Sequence, residues 1–165
     1  HRLSHIFPTA HELANSDLTS FGIPRSRAAA LSALASAAVS DPRLFTRGQS
    51  MEEAVARFRA LPGVGEWTAQ YIALRALRET DAFPASDLGL LQGIASEFGR
   101  RPEPGELLQR AESWRPWRAY AAQHLWASYG YAVSKQIEKE SNHATGTKVF
   151  HRQDSHTYRP DVDSR

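Results

Sequence analysis

The sequence predicts an all-α fold, and three observations carry that expectation. Capping signals of the Ser/Thr-x-x-Glu type stand at Thr9 to Glu12 and Ser50 to Glu53, where hydroxyl and carboxylate each satisfy the other residue's backbone N–H. Apolar residues recur at three- and four-residue spacing through most of residues 1–133, with Pro and Gly punctuating the runs. No stretch carries a convincing strand signal.

Taken in order, His1 to Pro8 reads as the end of an earlier helix, and Thr9 opens a short helix carrying Leu13 and Ala14. Residues Phe21 to Pro24 break it, and Pro24 suits a first helical position. Arg25 to Val39 follows as an Ala-rich helix with Leu31, Leu34 and Ala38 on one face. Asp41, Pro42 and Gly48 mark a loop. Ser50 to Ala60 is the next helix, with Met51, Val55 and Phe58 on one face, and Trp67 to Leu77 continues after a tight turn. Glu79 to Asp87 is a Pro-containing loop, and one helix runs from Asp87 through Leu90, Leu91 and Ile94 to Phe98, where Gly99 ends it. Glu106 to Trp114 is helical, and Pro116 opens a last long helix carrying Trp117, Tyr120, Leu125, Trp126 and Tyr129. The expectation is six or seven short helices over residues 1–133. From Ser134 to Arg165 polar residues take over, which reads as a disordered tail.

With 165 residues, 41% of them hydrophobic, the chain suits one domain of average size or a piece of a larger protein. It begins at His1 rather than Met, so a piece is the expectation. No apolar run approaches a membrane span and the start is not signal-like, which points to a cytoplasmic, monomeric protein. The absence of cysteine excludes disulfides, thiolate zinc sites and iron–sulfur clusters. A formal charge of +2 permits nucleic-acid binding without requiring it. His143, His151 and His156 in the tail do not have the spacing of a metal-ligand set.

The stretch Leu61 to Tyr71, LPGVGEWTAQY, organises the rest. Gly63 and Gly65 permit a hairpin sharp enough to fold one helix back on the next. Free amides and the positive end of the following helix then form a ready site for a backbone phosphate. This is the helix-hairpin-helix pattern, and an ordinary αα-hairpin closed by glycines is the plain alternative. Asp87 is the acid best placed for chemistry, at the N-terminus of a helix that favours its ionised form. Capping that helix is its other reading. Asp81 and Glu79, in the same loop, read as solvated. Trp67 and Tyr71 share a helix face that Trp126 can meet. They read as core residues, or as a pocket that stacks on a flipped base and favours a cationic one. Trp114 and Trp117 look structural. Arg75, Arg78, Arg100, Arg101, Arg110, Arg115 and Arg118 are phosphate-contact candidates, most of them expected to be solvated or paired within the fold.

Three ordered segments, LPGVGEWTAQYIALRA, DAFPASDLGLLQ and AESWRPWRAYAAQHLW, resemble the bacterial DNA-3-methyladenine glycosylase II family of the helix-hairpin-helix glycosylase superfamily. IFPTAHELAN and LTSFGIPRSRAAALSALA extend the likeness to residues 5–131. The resemblance implies a monofunctional DNA glycosylase that removes alkylated purines such as 3-methyladenine and 7-methylguanine from double-stranded DNA. It implies Asp87 as the catalytic acid and Trp67, Tyr71 and Trp126 as the base pocket. Leu61, Pro62, Gly63, Val64, Gly65 and Thr68 would contact DNA. A monovalent cation, Na+ or K+, would bind the carbonyls of Arg59, Leu61 and Val64. Bond cleavage itself would need no metal or organic cofactor. Trp67 stands where strand-cutting relatives carry a lysine, so no AP-lyase activity is implied. The family's N-terminal sheet domain and wedge-bearing helix have no counterpart before His1, so a partial glycosylase domain is expected. Position 88 is Leu, and Gly89, directly beside it and Asp87, is a poor helix residue. A helix-hairpin-helix module that only grips DNA, or a helical interaction domain without nucleic acid, are the competing readings.

Overall fold

The computed structural model describes residues 5–46 and 50–146. Both capping signals fold as their spacing requires. Glu12 N–H donates to Thr9 Oγ1 at 3.3 Å while Thr9 N–H donates to the Glu12 carboxylate at 2.7 Å. Glu53 and Ser50 reciprocate at 3.2 and 3.3 Å. They open α1 (Ala10–Asn15) and α3 (Met51–Arg59). Between them a 3-10 turn (Leu18–Phe21) leads through Gly22 to α2 (Arg25–Ser40), against which α1 packs. Residues 5–9 carry no helix, because Pro8 lacks an N–H and biases Phe7 toward extended backbone. Gly48 lies outside the described residues.

After the hairpin, α4 (Glu66–Arg75) folds back against α3. The helix expected from Asp87 to Phe98 is two, α5 (Leu88–Gly93) and α6 (Ala95–Phe98), broken at Ile94, whose side chain is drawn into the core. Next come α7 (Pro104–Ala111), a 3-10 turn (Glu112–Trp114) and α8 (Arg118–Gly146). Eight α-helices and two 3-10 turns, with no strand, make up the described residues, slightly more pieces than expected because several helices are short.

The core is assembled around α4. Ala69 and Ala73, four residues apart and fully buried, let Phe58 of α3, Leu90 of α5 and Leu107 of α7 close in on the same cluster. The loop after α4 is buried rather than solvated: Ala82, Phe83 and Pro84 are all inside. Its backbone is tied on two sides, Phe83 N–H donating to Gln70 Oε1 at 3.0 Å and Ala119 N–H to the Thr80 carbonyl at 2.9 Å. Asp81 corrects the expectation of a solvated acid. Arg118, 4% exposed, grips both its oxygens at 2.8 and 2.9 Å, and Arg115 adds a further ion pair. A buried guanidinium needs such a partner, since an unpaired charge there is strongly unfavourable. Trp114 packs edge-on to Phe83, but Trp117 is exposed, so only the first of that pair is structural.

Residues His1–Tyr129 form one unit, and Gly130 onward another. Within the second unit, residues 130–146 are helical, which corrects the expectation of disorder over 134–146. Their exposed Lys, Gln and Glu residues are good helix formers that need no core contact to hold the conformation locally. Gln136 donates to Glu140 one turn on at 3.4 Å. The remainder of the tail, with His151 and His156, lies outside the described residues.

Candidate active site and nucleic-acid interface

The hairpin is set by its backbone. Leu61 N–H donates to the Phe58 carbonyl and Val64 N–H to the Leu61 carbonyl, at 3.0 and 3.1 Å, and Gly63 takes φ +79°. Gly63 is needed twice over, for that φ and because a Cβ there would stand 2.7 Å from Ala30 Cβ on α2. Pro62, Gly63 and Gly65 are exposed, and Leu61 and Thr68 half-buried. Val64 is different: its side chain is 9% exposed and its N–H is used inside the turn, so it anchors the hairpin and offers no donor. Gly65 caps α4 with no side-chain hydrogen bond, leaving the first amides of that helix without a side-chain acceptor. Glu66 in that first turn is ion-paired to Arg59 at 3.0 Å across the hairpin.

Asp87 is the N-cap of α5 and also the hub of the aromatic cluster. Its Oδ1 accepts from Leu90 N–H at 3.1 Å and from Trp126 Nε1 at 2.7 Å, and its Oδ2 from Trp67 Nε1 at 2.9 Å. All three donors are neutral, and no cation is paired with the carboxylate among the described residues. The acid is held in place while its charge stays uncompensated, which suits it to stabilise a developing positive charge. Capping and chemistry, separate readings of Asp87 in the sequence, are compatible: Oδ1 is saturated by the fold, and Oδ2 keeps an open lone pair.

The structure brings Trp67, Tyr71 and Trp126 together, as a closed stack rather than an open pocket. Trp67 lies parallel to Tyr71 at 5.2 Å and 14°, and Tyr71 meets Trp126 edge-on at 6.0 Å. A base inserted between two rings needs a centroid separation of about 7 Å, twice the carbon contact distance. The open aromatic surface is Trp67, which is 41% exposed.

No family model matches the chain. Its sequence is 38% identical over 138 residues to a Mycobacterium tuberculosis protein described as a probable bifunctional transcriptional activator/DNA repair enzyme AlkA, covering 84% of this chain and 28% of that protein. It is 36% identical over 128 residues to DNA-3-methyladenine glycosylase 2 of Escherichia coli, covering 76% of this chain and 44% of the relative. Over most of its own length the chain is thus similar to DNA-3-methyladenine glycosylases. It spans less than half the length of either relative. A solved Schizosaccharomyces pombe 3-methyladenine DNA glycosylase in complex with abasic DNA matches at TM-score 0.64 and 26% identity, over 73% of this chain and 62% of that one.

At three positions around the cluster the structure shows a role that sequence reasoning missed. Gly89, read as a poor helix residue, is a spacer: a Cβ there would stand 2.9 Å from Trp126 Cδ1 and 3.1 Å from Asp87 Oδ1. Gln70 pins the loop that carries Asp87 by accepting from Phe83 N–H, a partner thirteen positions away that spacing along α4 does not announce. Arg75, grouped with the phosphate contacts, lies over Tyr71 and Trp126, with its guanidinium carbon 5.6 Å from each ring centroid. Of the other arginines, Arg100, Arg110, Arg115 and Arg118 are paired to carboxylates within the fold.

Proposed function

We propose that this chain is the catalytic segment of a monofunctional DNA glycosylase that hydrolyses the N-glycosidic bond of alkylated purines in double-stranded DNA. The observation that carries the reading is Asp87, fixed by two indole N–H groups and one amide with its charge uncompensated. In an N3- or N7-methylated purine the base is already cationic. The C1′–N bond breaks with its electron pair passing to the base, which leaves neutral, while the sugar becomes oxocarbenium-like. Asp87 stabilises that cation electrostatically. Water oxygen then bonds to C1′, and its proton passes to Asp87 or to solvent. The exposed face of Trp67 offers a stacking surface for the departing base.

The hairpin holds the DNA backbone through the amides that open α4, which reads no base sequence. The carbonyls of Arg59, Leu61 and Val64 would hold Na+ or K+ there; Leu61 oxygen accepts one hydrogen bond from Val64 and keeps a lone pair for it. That ion would screen the phosphate and supplies nothing to bond cleavage. An amine nucleophile is not offered by any lysine within residues 1–134, which supports hydrolysis without strand cutting. No helix among the described residues is long and apolar enough to cross a membrane, in keeping with a monomer working on DNA in the cytoplasm.

The test is release of 3-methyladenine and 7-methylguanine from methylated duplex DNA by the chain and by Asp87→Asn. The variant is expected to lose excision roughly a hundredfold or more with duplex affinity kept. Equal loss of both would refute the catalytic role of Asp87. The closed ring stack favours one alternative, a module that only grips DNA. That alternative requires salt-dependent binding indifferent to an abasic-site analogue, with no release by either protein.

A further inference from the structure

Along α8, Arg118, Ala122 and Trp126 follow at four-residue intervals, so one stripe of that helix carries all three. Its two ends hold the same loop. Arg118 grips both oxygens of Asp81 at 2.8 and 2.9 Å, and Trp126 Nε1 donates to Asp87 Oδ1 at 2.7 Å. Between them Ala122 is fully buried, and its small side chain lets the helix lie close. The two grips are separated by a stiff helical rise of about 12 Å. The chain that joins Asp81 to Asp87 has little slack of its own. Ala82, Phe83 and Pro84 are buried, Ala85 N–H donates to the Phe83 carbonyl at 2.9 Å, and Asp87 N–H to the Pro84 carbonyl at 2.8 Å. The ion pairs at the Asp81 end are balanced, with Asp81 and Glu112 facing Arg115 and Arg118, so the group adds no net charge near Asp87.

Resting on the reading of Asp87 as the catalytic acid, we propose that Arg118 and Asp81 are positioning residues, whose buried ion pair sets the loop against α8 and thereby places Asp87 between its two indole donors. Hydrogen bonds weaken steeply once distance or angle is lost, so the bonds from Trp67 and Trp126 depend on where the backbone of Asp87 stands. Trp67 is 41% exposed and by itself a soft anchor. The guanidinium fork is a hard one, because two parallel bonds to one carboxylate fix its orientation as well as its distance. The loop's two acids therefore divide the work. Asp81 is held by cations and sets position, while Asp87 is held by neutral donors and keeps its charge for the sugar. Charge stabilisation of a developing cation depends on that placement, and a shift of about 1 Å can lower a rate by up to about a hundredfold.

The experiment compares the full chain with Asp81→Glu, which lengthens the contact by one methylene, and Arg118→Lys, which removes the fork; both keep the charges. Arg100→Gln, which breaks an exposed ion pair elsewhere, is the control. At a temperature where circular dichroism shows every protein helical, kcat and KM are measured for release of 7-methylguanine from methylated duplex DNA. The indole N–H proton resonances of the four tryptophans are measured beside them. Asp81→Glu and Arg118→Lys are expected to lower kcat roughly tenfold or more with KM unchanged. They are also expected to move the Trp67 and Trp126 indole protons upfield, the sign of weakened hydrogen bonds, while exposed Trp117 stays in place. Should either variant fail to fold, Asp81→Leu with Arg118→Met, an apolar pair such a site tolerates, gives the same readings. Trp67 and Trp126 resonances that stay in place overturn the proposal, whatever happens to kcat. A kcat equal to the parent's also overturns it. So does a fall in kcat matched by a rise in KM with all four resonances displaced, which marks general loosening. If the parent releases no base, the glycosylase reading fails on its own, and the resonances still decide whether the ion pair places Asp87.

Discussion

Replacing Gly89 by alanine tests whether the close approach of α5 to α8 exists to bring Trp126 onto Asp87. Alanine at a helical glycine raises stability by about 0.5 to 1 kcal/mol when nothing opposes it. At Gly89 the new methyl would lie 2.9 Å from Trp126 Cδ1, 3.1 Å from Asp87 Oδ1 and 3.2 Å from Trp126 Nε1, so the indole must retreat by several tenths of an ångström. Forced repacking of this kind costs about 1 to 3 kcal/mol. Retreat also stretches the 2.7 Å bond from Trp126 to Asp87, and a hydrogen bond to a charged group is worth about 1.5 to 3 kcal/mol. The net expectation is a loss of about 2 kcal/mol in stability and a fall in excision of roughly tenfold to a hundredfold. Gly105→Ala is the matched control. That residue is helical in α7 with open space around it, so its variant should gain stability. Urea denaturation followed by tryptophan fluorescence, beside the base-release assay, measures both effects. A Gly89→Ala protein as stabilised as Gly105→Ala, with unaltered excision, would refute the reasoning.

Two further expectations follow from the same geometry. Gly63→Ala should lose about 2 to 4 kcal/mol, combining a left-handed backbone angle with a 2.7 Å clash on Ala30, while Gly22→Ala, with the same φ and open space, loses only the first part; urea midpoints separate them, and DNA affinity should fall for Gly63→Ala alone. On acidification, the Arg100 hydrogen bond holds the Glu106 carboxyl below its ordinary value, and Arg115 does the same for Glu112. Depressed carboxyls contribute stability that is present above their unfolded value and lost as pH falls through the folded one. Urea midpoints should therefore drop through the acidic carboxyl range, and less steeply in Arg100→Gln, Arg115→Gln or high salt, because both pairs are exposed.

Much of this protein is determined locally, and such features were legible in the sequence. Thr9, Ser50 and Asp87 cap helices through bonds to residues three positions away, so the capping signal and the structure are nearly the same statement. The hairpin turn was legible for the same reason, since Pro62 and Gly63 restrict the backbone at their own positions. Trp67 and Tyr71 declared their shared face by spacing. What stayed hidden depends on residues far apart along the chain. Asp81 looked solvated because its partners Arg115 and Arg118 are more than thirty positions away. Gly89 looked like a flaw because Trp126, which fills the missing side chain's space, belongs to α8. The ring spacing that closes the aromatic stack, and the placing of Arg75 over two of its rings, are set by how α4 and α8 pack, and helical periodicity says which residues share a face but not how far apart two faces stand. By itself the sequence determined most of the helices, the turn between α3 and α4, and that Asp87 caps α5. Only the tertiary structure decided that this acid is held by the neutral indole donors of Trp67 and Trp126, because side chains distant in sequence meet only where buried helices pack.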